Sequence, residues 1–347
     1  MKAIASVAVV ALVVLGGCVG SIGTIDSANA ETTAYPPGVS ASGIDDLDAL
    51  LAAHEEVLYS NGYELTIGVE TTTKDETTTA GTTVLSTADG AFLLTGTESG
   101  GENSFERVVY SADETAYERL TTDGETVYSG YNVEAVYDEL SGYDLLTGVL
   151  GAVPYEVESS NGGTTVLTAS DVNIGTDQNV VTASSTVTVR DDGLVESLKT
   201  TIESDSGDDA TKTTITLSVK TGDVAVSEPA WVSSKRSEMT IAQLSFEVRE
   251  NAIVVTHQGG DAIPAGTQFV AEFVTAEGET DAIVGVFDGE FTSGQTATVY
   301  NEEDVFTTIH LGSHEKPTGA AAIDGDVRVA LYNGAQTVET AYVSNEK

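Results

Sequence analysis

The chain has 347 residues, 40% of them hydrophobic, more than one typical domain needs and enough to bury a sizeable core. Its 55 Asp and Glu against 14 Lys and Arg give a net charge of −41, spread along the chain and not gathered in a tail. That balance repels phosphate backbones and anionic headgroups, which argues against nucleic-acid binding and against a basic patch for membrane surfaces. It suits a protein of high salt, where the Debye length falls to about 3 Å and self-repulsion is screened.

The N-terminus reads as an export signal. Met1-Lys2 is a short basic start, and Ala3 to Leu15 is a run of apolar residues broken only by Ser6. A bilayer-spanning helix needs about 20 apolar residues, so this run has the length of a signal-peptide core instead. It ends in Leu15-Gly16-Gly17-Cys18, and Cys18 is the single cysteine of the chain, so no intrachain disulfide can form. This string resembles the lipobox of prokaryotic lipoproteins. The resemblance implies a signal peptide over 1–17, cleavage before Cys18 and lipidation of its thiol. The mature chain would then be tethered to the extracellular face of the cell membrane through its lipid. Residues 18–43, small and polar with Pro36-Pro37-Gly38 near the end, read as a flexible tether.

A first folded region is expected over 44–232. Asp45 to Asn61 predicts a helix, with Ile44, Leu47, Leu50, Leu51, His54, Val57 and Leu58 on one stripe and acidic residues in the first turn. His54 reads as a packed histidine, with no neighbouring His or Cys to share a metal. Strands follow at Tyr63–Thr73, Thr82–Thr87, Ala91–Thr97, Phe105–Ser111, Thr115–Thr121 and Thr126–Tyr131, joined by acidic turns such as Asp89-Gly90 and Asp123-Gly124. From Val133 to Val153 the period turns helical, as one broken helix or two short ones around Gly142 and Gly148. Strands resume at Tyr155–Glu158, Thr164–Ala169, Val180–Arg190, Leu194–Ser204 and Thr211–Thr221, and Pro229-Ala230-Trp231 closes the region.

This element order resembles LolA and LppX type lipoproteins. It implies a mainly β fold with a few helices, in which a curved antiparallel sheet, a half-barrel, wraps the helices. It also resembles haloarchaeal lipoproteins that end this region with Pro and Trp. Family members with this fold bind lipids or other hydrophobic ligands. By that resemblance the ligand would be lined by Val136, Leu140, Leu145, Leu146, Val149 and Leu150. The same residue types would equally fill a plain core.

Ser233 to Ser237 reads as a polar linker to a second region over 238–347. About eight short strands are expected there: Leu244–Val248, Ala252–His257, Gln268–Thr275, Ala282–Phe287, Thr296–Tyr300, Thr307–Leu311, Asp326–Tyr332 and Thr337–Val343. They suggest an Ig-like β-sandwich. His257-Gln258-Gly259-Gly260-Asp261 is similar to the opening of the sandwich in haloarchaeal type IV pilins, although the assembly helix of pilins is absent. The glycines suit a turn with positive φ, Asp261 suits a backbone-bonding role in it, and His257 a bond across it.

No nucleophile elbow, P-loop, dinucleotide fingerprint or zinc-binding His pair on a helix is present. His310 and His314 are four apart but in loop-like sequence, and acidic pairs such as Asp208-Asp209 suit a solvated surface. The sequence therefore predicts a non-enzymatic lipoprotein with no cofactor and no metal. Its partners are the membrane through its lipid and a hydrophobic ligand in the first region. The alternative is a structural or adhesive surface protein whose C-terminal sandwich contacts a cell-envelope protein.

Overall fold

A computed structural model describes residues 35–100, 104–173, 180–205, 210–274, 280–301, 307–312, 322–323 and 326–343. The signal segment with Cys18, most of the tether, Asp208, Asp209 and His314 lie outside the described residues. In chain order, β1 (Val39–Ser40) and β2 (Gly43–Ile44) precede α1 (Leu47–Ser60). A meander follows: β3 (Tyr63–Thr72), β4 (Thr77–Ser86), β5 (Phe92–Ser99), β6 (Phe105–Ser111), β7 (Thr115–Thr122) and β8 (Glu125–Asn132). A 3-10 turn (Val133–Val136), α2 (Tyr137–Ser141) and α3 (Tyr143–Ala152) interrupt it. Then come β9 (Glu156–Asn161), β10 (Thr164–Asn173), β11 (Val180–Arg190), β12 (Val195–Asp205) and β13 (Thr211–Thr221). After α4 (Ala230–Lys235) and a second 3-10 turn (Arg236–Glu238), the last elements are β14 (Ala242–Arg249), β15 (Ala252–Gly260), β16 (Gln268–Val274), β17 (Thr280–Phe287), β18 (Thr296–Tyr300), β19 (Thr307–Ile309), β20 (Val327–Asn333) and β21 (Gln336–Val343).

The protein is mainly β with a few helices. Eleven strands pair in the order β8-β7-β6-β5-β4-β3-β13-β12-β11-β10-β9, an open sheet and not a closed barrel. The C-terminal strands form sheets β14-β15-β18 and β19-β17-β16-β20-β21, the two layers of a sandwich. Among the described residues, no helix is long and apolar enough to cross a membrane. Two compact units are present, and they do not follow chain order. One holds the chain up to Asn61 with Leu65–Thr79 and Ser141–Thr221; the other holds Gly62–Glu64, Ala80–Leu140 and Gly222–Lys347.

In the first unit, α1 starts where Asp46 accepts a hydrogen bond from the Ala49 amide (3.0 Å), with Asp48 in its first turn. Its buried stripe is Leu50, Leu51, His54 and Leu58. Gly142, in the left-handed region at φ +69°, separates α2 from α3. A Cβ there would come within 3.4 Å of Leu217, with Ile67 and Leu65 next, so the break is pressed against strands β3 and β13. Gly193, at φ +93° between β11 and β12, would place a Cβ 2.4 Å from that of Ala53 in α1. Register puts Leu167, Val187, Leu198 and Leu217 in one row across β10 to β13, all buried. The neighbouring row carries Ser185 and Thr200, and their hydroxyls bond each other (2.7 Å) and the buried Tyr155 hydroxyl.

In the second unit, β5 to β8 are covered on one face by the segment that follows residue 222. Tyr110, Tyr117, Val232 and Met239 are buried together, with Leu93, Tyr128, Trp231 and Ile241 packed on them. Arg236 stacks over the Tyr117 ring (4.6 Å) and Lys235 over Tyr128 (5.4 Å). Gly130 is required there, since a Cβ would lie 2.8 Å from Ile241. The sandwich core joins both of its sheets through residues such as Ile253, Val255, Phe269, Phe287, Phe291, Val329 and Leu331.

Besides small shifts at strand ends and compact units that cut across the expected 44–232 and 238–347 regions, four departures from the sequence reading have a local physical reason. Residues 233–237 are not an extended linker: Ala230–Lys235 is helical and continues into a 3-10 turn, because Trp231 and Val232 must turn onto the tyrosines. β4 starts at Thr77, five residues before the expected Thr82, because threonines occupy both faces and hide the alternation. β10 runs on to Asn173, past a bulge between Ala169 and Val172 that breaks its period. Val39–Ser40 and Gly43, read as part of the 18–43 tether, pair with Ile44 as β1 and β2, and the Gly38 carbonyl accepts from the amides of Asp45 and Asp46.

The close approach at Gly193 is directly testable. Gly193→Ala should cost about 2–4 kcal/mol through a clash and a strained φ together. Gly162→Ala, at φ +64° with open space around it, should cost only about 1 kcal/mol. Equal shifts in chemical unfolding midpoints would show that α1 does not press on that turn.

Candidate functional site

Of the six residues expected to line a ligand site, Val136, Leu140, Leu146, Val149 and Leu150 are buried and Leu145 is partly exposed. Val136 and Leu140 belong to the second compact unit, and Leu145, Leu146, Val149 and Leu150 to the first. In α3 the buried residues sit at helical spacing on one side, each worth roughly 1.5–3 kcal/mol of burial.

His54 ties this helical layer down. The Val195 amide donates to its Nδ1 (3.2 Å), so Nε2 carries the proton and donates to the Ser141 carbonyl (3.2 Å). Ser141 in turn donates its hydroxyl to Glu55 (3.0 Å). Burial disfavours the charged imidazole and outweighs the help of the Ser141 carbonyl, which lowers the His54 pKa from 6.5 to about 4. His54 is thus a neutral structural bracket between α1, Ser141 and β12.

The second unit holds a polar cluster that sequence reasoning did not single out. The face of β5 to β8 opposite the tyrosine cluster carries Leu94, Val109, Ala116 and Tyr131, all buried. Arg107 lies on this same face, in a row with Gly96, Leu120 and Val127. It donates to Glu139 of α2 (2.5 Å), and to Glu118 and the Tyr131 hydroxyl (3.3 Å each). The Tyr131 hydroxyl also donates to Glu118. Burial pulls the guanidinium down, but Glu118, Tyr131 and Glu139 outweigh it and raise its pKa. Burial and then Glu118 push the Tyr131 hydroxyl well above its ordinary value. Both groups therefore hold their protons across the physiological range. Beyond Arg107, Phe105, Leu120 and Val127 are only partly buried, leaving an apolar strip open to water. The sign of this cluster was present in Phe105-Glu106-Arg107-Val108-Val109, where alternation sets Arg107 in phase with two apolar neighbours.

In the sandwich, His257 is fully buried, its Nε2 is 2.9 Å from the Asp261 carbonyl, and its ring meets Phe291 edge-on at 5.3 Å. Gly260 has φ +79°, and the Asp261 carboxylate accepts from the Ile241 amide (3.1 Å). This string therefore fastens the first two strands of the sandwich. His310 pairs with Asp288 at the surface (2.5 Å). Among the described residues, no group of three or more His, Cys, Asp or Glu is placed to hold a metal ion.

Residues 3–140 match a family of unknown function (DUF7537). No curated protein sequence matches the chain. Among solved structures, a LolA superfamily protein, NE2245 from Nitrosomonas europaea, aligns at 9% identity with a TM-score of 0.19, over 54% of this chain and 96% of its own. MucB, solved in complex with MucA(peri), aligns at 14% identity with a TM-score of 0.21, over 69% of this chain and 92% of its own.

The His54 bracket predicts a specific acid response. Its pKa is lower in the folded than in the unfolded chain, so its contribution is complete above about pH 6.5 and is lost as pH falls toward 4. The loss attached to this one group is about 3 kcal/mol. His54→Gln should be less stable at neutral pH yet lose less between pH 6.5 and 4. Parallel stability–pH curves for the two proteins would show that His54 is not the group that titrates.

Proposed function

We propose that the chain is a lipid-anchored, extracytoplasmic binding protein for an apolar or amphiphilic molecule, and not an enzyme. The observation that carries this reading is the set of half-buried apolar side chains beside Arg107 on one face of β6 to β8. On the opposite face Tyr110 and Tyr117 are covered by Val232 and Met239. The Arg107 face presents Phe105, Leu120 and Val127 as a partly open strip. Neighbouring apolar side chains that keep part of their surface in water gain when something covers them. The lipobox-like Leu15-Gly16-Gly17-Cys18 supports placement on the outer face of a membrane.

A second reading, contact with a cell-envelope protein through the sandwich, is favoured by one observation. Tyr342 in β21 is 77% exposed, and aromatic side chains are favoured anchors at interfaces.

Two experiments test the main reading. Titration of the full chain with the neutral probe N-phenyl-1-naphthylamine should give saturable binding. Leu120→Ser should weaken it roughly tenfold, with the unfolding midpoint close to that of the parent. Absence of saturable binding would sink the apolar-ligand reading. Cys18→Ser, expressed in a native-type host, should move the protein from the membrane fraction to the soluble one; unchanged fractionation would refute a lipid anchor at Cys18.

A further inference from the structure

Arg107 is a cation placed in an apolar row. Its Cα partners across the sheet are Gly96 on one side and Leu120 on the other, and Leu120 pairs in turn with Val127. Gly96 adds no side chain, and the Phe105 ring and the Arg107 Cβ both come to within 3.8 Å of where its Cβ would be, so ring and arginine stem lie side by side over that glycine. The Arg107 side chain keeps 22% of its exposure, so water reaches it.

Its two carboxylate partners differ. The Glu118 side chain is only 14% exposed, lies on the same sheet face, and is fixed by the Tyr131 hydroxyl. It alone neutralises Arg107. The Glu139 side chain is 47% exposed and comes from the five-residue helix α2. It occupies the other arm of the guanidinium, Nη1, and leaves the cluster with one negative charge in excess. A guanidinium fork recognises carboxylate and phosphate oxygens with the same geometry. Glu139 therefore sits where an incoming oxyanion would sit.

We propose that Arg107 anchors the oxyanion headgroup, carboxylate or phosphate, of a single-chain amphiphile whose tail lies along Leu120, Val127 and Phe105. Glu139 is the resident occupant of that headgroup position and leaves it when ligand enters. This rests on the apolar-ligand reading above and names the ligand's polar end.

The test compares palmitate, hexadecyl phosphate and hexadecanol by calorimetry on the full chain. Palmitate or hexadecyl phosphate should bind more tightly than hexadecanol, and the tighter of the two identifies the headgroup. Glu139→Gln removes the competing carboxylate from a half-exposed site. It should tighten the anionic ligands about tenfold and leave hexadecanol unchanged. Arg107→Met combined with Glu118→Gln removes both charges together, which avoids stranding a buried carboxylate. That double variant should abolish the preference for anions while still binding hexadecanol. If hexadecanol binds as well as the anions, or if Glu139→Gln changes all three alike, the headgroup assignment is overturned and the apolar reading stands. If none of the three binds, the apolar reading falls with it.

Discussion

The surplus of carboxylates is the constraint that the rest of the molecule accommodates. With 55 acidic and 14 basic residues, a cation left in the wrong place leaves a patch of unrelieved repulsion. The basic residues are accordingly set against acidic neighbours at short range. Lys212 lies directly across from Glu203 and Arg328 across from Glu272; Arg249 pairs with Glu247 two residues away, and Lys235 with Glu238 three away. Surface pairs of this kind are worth at most about 1 kcal/mol each, so they do not hold the fold together. They relieve repulsion locally, and what holds the fold is the burial beneath them. Lys235 and Arg236 combine the two, since each also lies over a tyrosine ring of the second unit.

Inside, each polar group met a different solution. His54 stays neutral and uses both ring nitrogens. Ser185, Thr200 and Tyr155 satisfy one another in a chain of hydroxyls. Arg107 keeps its charge and draws two carboxylates and a phenol around it. The first two arrangements are closed, with donors and acceptors matched inside the protein. The third is open: it carries an extra negative charge from a residue that water already reaches. Polar networks with a surplus member are the ones in which a ligand can replace a protein group without stranding another.

Much of the architecture was legible in the sequence because alternation and amphipathic spacing are strong where one face is buried. Val180–Arg190 and Thr211–Thr221 were bounded to the residue, since Ala183, Val187 and Val189 in one and Ile215, Leu217 and Val219 in the other mark the inner face by their alternation. Leu47–Ser60 was legible from its stripe and from Asp46 at its start. The helix Ala230–Lys235 was not, because Trp231 and Val232 alone give no periodicity and the serines beside them resemble a linker. The six apolar residues proposed for a ligand site were correctly placed in the helical segment. Arg107 escaped notice. Among so many charged residues one arginine in a strand reads as surface, and only its phase with Phe105 and Val109 marks it as facing inward.

The end of α2 explains why its carboxylate could leave without loss of the helix. A helix that stops at a left-handed glycine leaves its last carbonyls without intrahelical partners, and buried carbonyls need donors. Side chains supply them. The Tyr63 hydroxyl donates to the Leu140 carbonyl (2.9 Å), and His54 donates to that of Ser141. Glu139 sits one residue earlier and is held by its side chain, through Arg107. The backbone anchors at 140 and 141 involve neither Arg107 nor the Glu139 carboxylate. Exchange of that carboxylate for another oxyanion therefore swaps one charge-assisted bond for another of the same kind while the anchoring bonds stay made. An equilibrium built on such an exchange is governed by the ligand's own affinity, not by the cost of unfolding a helix.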